Sequence, residues 1–293
     1  PTLASRVGLA TRWVGVPAEG VSPGGSGSCM APSDNTLPGY GELHCVSKFS
    51  VLRAASHAAE LVGQAHELGY KALAFTDECS LAGIVRAHVA AKALGFKLIV
   101  GSEILLKDGP KIVLLATDRE GYGNLCELIT AGRRRARKGT YELCRADLEH
   151  GLPGALALLV PGKCLDEEHA CWIAERFPGR AWVAVELHQG ARDKARLAEL
   201  QSFGATCGLP LAAAGDVHMH ARSRRRLQDT LTAVRLGMPV SGAGHALFPN
   251  AERHLRRRVR LAQVYPEAML AETLRIARSG GDTAELQAHS ALG

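Results

Sequence analysis

The chain has 293 residues, of which 46% are hydrophobic and 22% charged, an ordinary composition that allows one large α/β domain or two smaller ones. Its net charge of +6 favours polyanionic partners without identifying one, while an aromatic content of only 5% argues against a surface that stacks nucleic-acid bases. Eight cysteines without a CxxC pair indicate reduced thiols in a cytosolic protein, and no apolar stretch approaches the ~20 residues of a membrane-spanning helix.

Alternating strand and helix patterns occupy most of the chain. Residues 1–39 are rich in glycine and proline and lack sustained periodicity, so we predict a disordered leader there. The predicted strands are residues 40–46, 72–77, 97–106, 111–117, 155–160, 182–188 and 210–216. The predicted helices are residues 55–69, 82–94, 119–138, 166–177, 192–207 and a basic helix at 222–236.

This order of elements favours a barrel. Nearly all-apolar strands that alternate with helices predict parallel strands covered by helices. Seven strands in ~180 residues fit a distorted seven-stranded βα barrel better than an open α/β sheet, and no GxGxxG follows the first strand to support the open sheet. We predict a barrel over residues 40–240, the helical start of a following region over 241–278 and an atypical tail over 279–293.

Metal-ligand residue types lie where several predicted strands end. His44 follows the first strand and Asp77 the second, while Asp216 and His218 follow the last strand with a spacing that points both side chains to one face. Glu103 lies inside an apolar strand, where a buried carboxylate needs a metal ion or an arginine as its partner. A barrel enzyme holds metal ions at the carboxyl ends of successive strands, so these residues are the candidate ligands.

Each candidate also has a structural alternative. A single histidine such as His44 is more often packed or hydrogen-bonded than metal-bound, and Asp77 could cap the amino end of the next helix. Two weaker candidate ligands are Glu78 and His188, the latter with Glu186 nearby.

Four stretches resemble the motifs of the polymerase and histidinol phosphatase (PHP) domain. Residues 42–50, followed by 54–57, resemble the first motif and residues 75–83 the second; Glu103 lies in a stretch that resembles the third, and residues 214–220 resemble the last. The variants are similar to those of the bacterial error-prone DNA polymerases, a C-family branch related to the replicative DNA polymerase III alpha subunit. Further stretches that resemble this branch are residues 122–129, 223–231 and 246–252.

The resemblance implies a PHP-type barrel placed N-terminal to a polymerase region that begins near residue 241. The implied enzyme is a DNA-directed DNA polymerase, a nucleotidyltransferase that copies DNA with low fidelity during damage tolerance, translesion synthesis and repair. Its implied partners are DNA and other translesion-synthesis or replication proteins, and its location is the cytoplasm, not a membrane. The chemistry needs Mg²⁺ on aspartates of a palm domain beyond the barrel. We therefore expect a fragment without catalytic residues or polymerase activity of its own.

The barrel metal is a separate question. Valine at position 46 cannot bind a metal where the PHP motif has a histidine, and Glu78 is a hard anionic donor that favours Mg²⁺ or Mn²⁺ over Zn²⁺. We expect an inactive barrel or a single structural ion. The alternative function is a stand-alone metal-dependent phosphoesterase of the PHP type, which would have no use for the polymerase-type stretches after residue 220.

Two basic runs are candidate contacts to DNA phosphates. Their alternative is a solvated helix surface, where cations near a carboxyl end are favoured in any case. The candidate residues are Arg224, Arg225, Arg226, Arg256, Arg257 and Arg258.

Overall fold

The computed structural model of the protein describes residues 37–283, which contain seven strands and eight α-helices. The strands are β1 (Gly41–Cys45), β2 (Ala72–Phe75), β3 (Leu98–Leu105), β4 (Lys111–Ala116), β5 (Ala155–Val160), β6 (Ala181–Glu186) and β7 (Leu211–Ala214). The helices are α1 (Ala58–Glu67), α2 (Ile84–Leu94), α3 (Arg119–Arg135), α4 (Glu167–Arg176), α5 (Asp193–Cys207), α6 (Arg225–Leu236), α7 (Arg258–Val264) and α8 (Glu267–Ser279). Every predicted strand, and every predicted helix through α6, is confirmed.

The strands form a nearly closed barrel. They pair in sequential order from β1 to β7, and the backbone N–H of Val217 donates to the carbonyl of His44 at 2.9 Å, which brings the end of the sheet back to β1. The predicted distorted seven-stranded βα barrel is thereby confirmed. The expectation of parallel strands throughout is wrong for β4, which runs antiparallel to both β3 and β5. A short turn, with no helix, joins β3 to β4, and such a turn can connect only antiparallel strands.

Alternate side chains of the strands enter two apolar clusters, as the two-residue period of a strand requires. Leu43, Ile99 and Leu158 belong to the cluster inside the barrel. Leu98 and Leu159, which are next in sequence to Ile99 on β3 and to Leu158 on β5, belong to the larger cluster between the sheet and the surrounding helices. The barrel is therefore a packed core, with space for polar chemistry only at its ends.

Helix α8 lies across the amino end of the barrel. The backbone N–H of Gly41, at the start of β1, donates to Thr273 Oγ1 at 3.1 Å, and Trp182 Nε1 at the start of β6 donates to Glu272. Ile276 and Ala277 complete the interior cluster. The boundary at residue 240 stays a prediction. The leader at 1–39 and the tail at 279–293 fall almost wholly outside the described residues.

Two bulk features concern the described part of the chain alone. Within residues 37–283, no helix has the length and apolar character needed to cross a membrane. The seven cysteines in the same range are free thiols, as their scattered spacing indicated.

Candidate ion-pair and metal site at the barrel mouth

The carboxyl end of the barrel, here called the mouth, gathers polar side chains from four strands. His44 lies on β1, Glu103 on β3 and Glu186 at the end of β6, while Asp216 and His218 directly follow β7. His44, Glu103, Asp216 and His218 are each at most 5% exposed. The structure therefore brings together four of the five main candidates from the sequence, and adds Glu186, which the sequence offered only as a neighbour of His188.

His44 lies at the centre of this group between two carboxylates. Its Nε2 is 2.7 Å from Glu103 Oε2 and its Nδ1 is 2.7 Å from Glu186 Oε1. Burial opposes protonation of the ring, but these two hydrogen bonds outweigh it and raise the pKa of His44. Burial likewise disfavours the charged form of Glu186, yet the hydrogen bond from His44 lowers its pKa to about 2. Each ring nitrogen thus faces a carboxylate, which favours the protonated form of His44.

Asp216 and His218 form a second contact. Asp216 Oδ1 is 3.0 Å from His218 Nε2, and its Oδ2 contacts the guanidinium of Arg253. His218 Nδ1 faces the carbonyl of Arg53 at 2.8 Å, so both ring nitrogens of His218 face oxygen atoms. Burial lowers the pKa of His218 to about 4. The two side chains lie side by side, but not through the extended backbone that the sequence predicted, because β7 ends at Ala214 and Asp216 has a φ of 42°.

Three cationic side chains enter the same mouth. Arg53 Nη1 is 3.0 Å from Glu103 Oε1, and it also pairs with Glu78. Lys111 Nζ is 2.7 Å from Glu103 Oε2. Lys111 is the first residue of β4, and because β4 is antiparallel, its amino end lies at the carboxyl ends of the other strands. Together with Arg253, which contacts Asp216, these cations lie among the carboxylates of the mouth.

Two sequence candidates have other partners. Asp77 accepts hydrogen bonds from the backbone N–H and Oγ of Ser47 at 2.8 and 2.7 Å, and from Ser50 Oγ at 2.8 Å. Its alternative as a helix cap is wrong, because α2 begins only at Ile84 with Gly83 as its cap. His188 Nε2 lies 2.9 Å from the carbonyl of Gly215, so His188 ties β6 to the end of β7. Asp77 therefore belongs to a hydrogen-bonded loop next to the ion-pair group.

The basic runs divide into buried and exposed residues. Arg256 is 3% exposed and donates to the carbonyl of Leu187 at 2.9 Å, and Arg258 is 8% exposed. The expectation that these two contact DNA phosphates is wrong, because both are enclosed by the protein. Arg226 and Arg257 are exposed and stay candidates. The remaining pair is held internally: Arg224 pairs with Glu60 and Arg225 with Asp229.

The residue types at the mouth could bind one metal ion, but their ligand atoms already contact other side chains. His44, Glu186 and Asp216 offer ligand atoms that all lie within 4.8 Å of one another, close enough to hold an ion. Both ring nitrogens of His44 are nevertheless engaged by carboxylates, and Asp216 is engaged by Arg253. Val46 is fully buried and supplies no ligand. As arranged, these residues do not fit a resident metal ion, since one would have to displace protein cations.

Comparison with known proteins matches part of the chain to a domain family and most of the chain to curated proteins. Residues 42–165 match the PHP domain family. The chain is 59% identical over 247 residues to the error-prone DNA polymerase of Dechloromonas aromatica, which covers 83% of this chain and 24% of that protein. It is 58% identical over 239 residues to the error-prone DNA polymerase of Methylococcus capsulatus, covering 81% and 23%. The chain thus spans about a quarter of the length of these relatives.

Similarity to solved structures is weaker. An amidohydrolase from Chromobacterium violaceum, solved with bound sulfate and no metal, aligns with a TM-score of 0.43 at 17% identity. The alignment covers 61% of this chain and 87% of that one.

Proposed function

We propose that this chain, a homologue of the error-prone DNA polymerases, forms the N-terminal PHP portion of such an enzyme. The match of residues 42–165 to the PHP domain family supports this proposal. In this role the barrel is a structural or interaction domain. Nucleotidyl transfer belongs to the three quarters of the relatives' length that this chain does not span.

One observation carries this proposal. Identity of 58–59% extends over 81–83% of the chain, well beyond residues 42–165 that match the PHP domain. The additional matched length must include elements outside that range, and α6, α7 and α8 lie there. A free-standing phosphoesterase would have no need for this polymerase-type sequence, whereas the N-terminal part of a polymerase would retain it.

The requirements of the whole enzyme are part of the proposal. Its synthesis would use Mg²⁺ on aspartates beyond this chain, with DNA as substrate in the cytoplasm during damage tolerance and repair. Other translesion-synthesis or replication proteins are proposed partners of the complete polymerase. The described chain contributes the barrel and the helices packed on it.

A stand-alone phosphoesterase is the second candidate, and one observation favours it. His44, Glu186 and Asp216 converge as a metal site would require. Against it stand the ion pairs described above and the buried valine at position 46, which leave few ligands for the several ions of a hydrolytic centre.

A chimera tests the polymerase proposal. This chain would replace the matching N-terminal quarter of the Dechloromonas aromatica relative, and primer extension would be compared with that relative lacking the quarter altogether. We expect the chimera to extend primers, and neither the truncated relative nor the isolated chain to do so. A folded but inactive chimera, or chelator-sensitive extension by the isolated chain, would contradict the proposal.

A hydrolysis assay tests the alternative. With bis(p-nitrophenyl) phosphate and excess Mn²⁺, we expect no turnover by the chain above the level of His218→Ala. Turnover that His218→Ala abolishes would establish the phosphoesterase instead.

A further inference from the structure

The segment after α6 crosses the barrel mouth, and residues 248–256 of it are here called the mouth strap. The backbone N–H groups of His218 and Met219 donate to the carbonyl of Arg253 at 3.0 and 3.1 Å, and Leu255 N–H donates to Met219 at 3.2 Å. On the other side of Arg253, Asn250 Nδ2 donates to the carbonyl of His188. The strap is thus fixed by main-chain hydrogen bonds at Arg253 and Leu255 and by the side chain of Asn250, so the position of Arg253 is set by the fold.

The side chain of Arg253 points from the strap into the mouth. Its guanidinium contacts Asp216 Oδ2 and lies 4.5 Å from the centre of the Phe248 ring. It lines three cavities at the mouth, the largest of about 660 Å³. Only 21% of the side chain is exposed, and such burial of a guanidinium requires an anionic partner.

Two further protein cations complete the charge balance of the mouth. Arg53 and Lys111 contact opposite oxygens of Glu103 at 3.0 and 2.7 Å. Carboxylates brought this close repel one another unless positive charge lies between them, and either a metal ion or a basic side chain can supply it. These three cations come from a loop, from the reversed strand β4 and from the strap, which are far apart in the sequence.

We propose that Arg253, with Arg53 and Lys111, replaces the metal ions of a PHP site, and that Arg253 keeps a divalent ion from binding to Asp216. The strap holds the guanidinium next to Asp216 at a high effective concentration, against which a free ion must compete. Removal of Arg253 frees one carboxylate oxygen and leaves the mouth with an excess of negative charge. The carboxylate oxygens of Asp216 and Glu186 then accept a hard divalent cation, and His44 joins them as a ligand once one of its ring nitrogens has released its proton to solvent.

Titration with Mn²⁺ tests this exchange, with no reliance on DNA synthesis. We expect Arg253→Ala to bind one Mn²⁺ per chain, at least about tenfold more tightly than the unaltered chain, and a second substitution, His218→Ala, to weaken that binding. The matched control is Arg257→Ala, which removes one positive charge from an exposed position just beyond the strap. It should bind Mn²⁺ like the unaltered chain.

Circular dichroism accompanies each titration, so that binding is read only on folded protein. If Arg253→Ala does not fold, Arg253→Met keeps the apolar contact with Phe248 and is read by the same criteria. Equal affinity of the unaltered chain and the variant overturns the proposal, as does a folded variant that binds no Mn²⁺. Both outcomes are independent of the chimera experiment, so a failure here leaves the polymerase proposal standing.

Discussion

The two ends of the barrel are closed by opposite kinds of interaction. At the amino end, α8 buries Ile276 and Ala277 against the interior cluster, with a few hydrogen bonds at the border. At the carboxyl end, buried carboxylates meet arginine, lysine and histidine beneath the mouth strap. Apolar packing tolerates substitution in proportion to the lost contacts, whereas each buried charge depends on its partners. In barrel enzymes the functional residues lie at the carboxyl ends of the strands. In this barrel the same end carries the buried charged side chains, which are unfavourable to bury without partners.

The ionic end should show the larger effect of a single change. Glu103→Gln removes the carboxylate that His44, Arg53 and Lys111 share. Because buried cations lose their partner, we expect the free energy of unfolding to fall by about 4 kcal/mol, measured by urea denaturation. Glu142→Gln breaks the exposed pair with Lys107 and serves as the control, with an unchanged unfolding midpoint. Equal effects of the two substitutions would show that the mouth is hydrated and its charges independent.

At the apolar end, Ile276→Ala tests the packing of α8. Ile276 is fully buried, so the lost methylene contacts should lower the free energy of unfolding by about 3 kcal/mol. Val234→Ala on α6, where the side chain is 58% exposed, is the control and should change that value by less than about 0.5 kcal/mol. If Ile276→Ala behaves like its control, α8 does not close the barrel.

Asp77 lies at the carboxyl end but is held by hydrogen bonds from Ser47 and Ser50 instead of ion pairs, so its substitution separates the two kinds of polar contact. Asp77→Asn weakens the hydrogen bonds from Ser47 and Ser50, and we expect a loss of about 2 kcal/mol in unfolding free energy. In the Arg253→Ala chain, the same substitution should leave the affinity for Mn²⁺ unchanged. A loss of Mn²⁺ binding would return Asp77 to the ligand set, as the sequence predicted.

The smallest expected effect concerns the surface beyond the mouth. Arg226 is exposed on α6, the helix that follows β7. If it contacts a DNA phosphate, as we expect, Arg226→Ala in the chimeric polymerase should reduce the slope of log affinity against log salt by about 0.9. Arg119→Ala, at an exposed position on α3, is the control and should leave the slope unchanged. Identical slopes for both variants would indicate a solvated helix surface.

Sequence reasoning located the elements well because apolar periodicity reports local structure directly. It also found His44, Glu103, Asp216 and His218, since residues at the ends of successive strands must converge in a barrel. It missed Lys111 because the reversal of β4 depends on the turn before it, and a parallel β4 would have put Lys111 at the opposite end. It missed Arg253 because nothing local shows that the strap returns to the mouth.

The buried arginines show a second limit of prediction from sequence, because there a residue was assigned to the surface that the fold encloses. Arg256 and Arg258 belong to a run that resembles a phosphate-binding surface, yet the fold encloses both. Arg256 binds the carbonyl of Leu187 and the hydroxyl of Tyr265. A charge pattern alone does not distinguish a guanidinium that faces solvent from one that satisfies buried carbonyl groups, because both need the same residue type.

The central claim is that basic side chains, and not a metal ion, neutralise the carboxylates of the mouth. It is tested most directly by the melting temperature of the unaltered chain, measured with EDTA and with a saturating excess of Mn²⁺. If Arg53, Lys111 and Arg253 supply the positive charge, the two temperatures should agree within about 1 °C, because an ion that does not bind cannot stabilise the fold. An ion bound to the native mouth at a hundred times its dissociation constant would add about 2.7 kcal/mol. A rise of several degrees that EDTA reverses would therefore contradict the account.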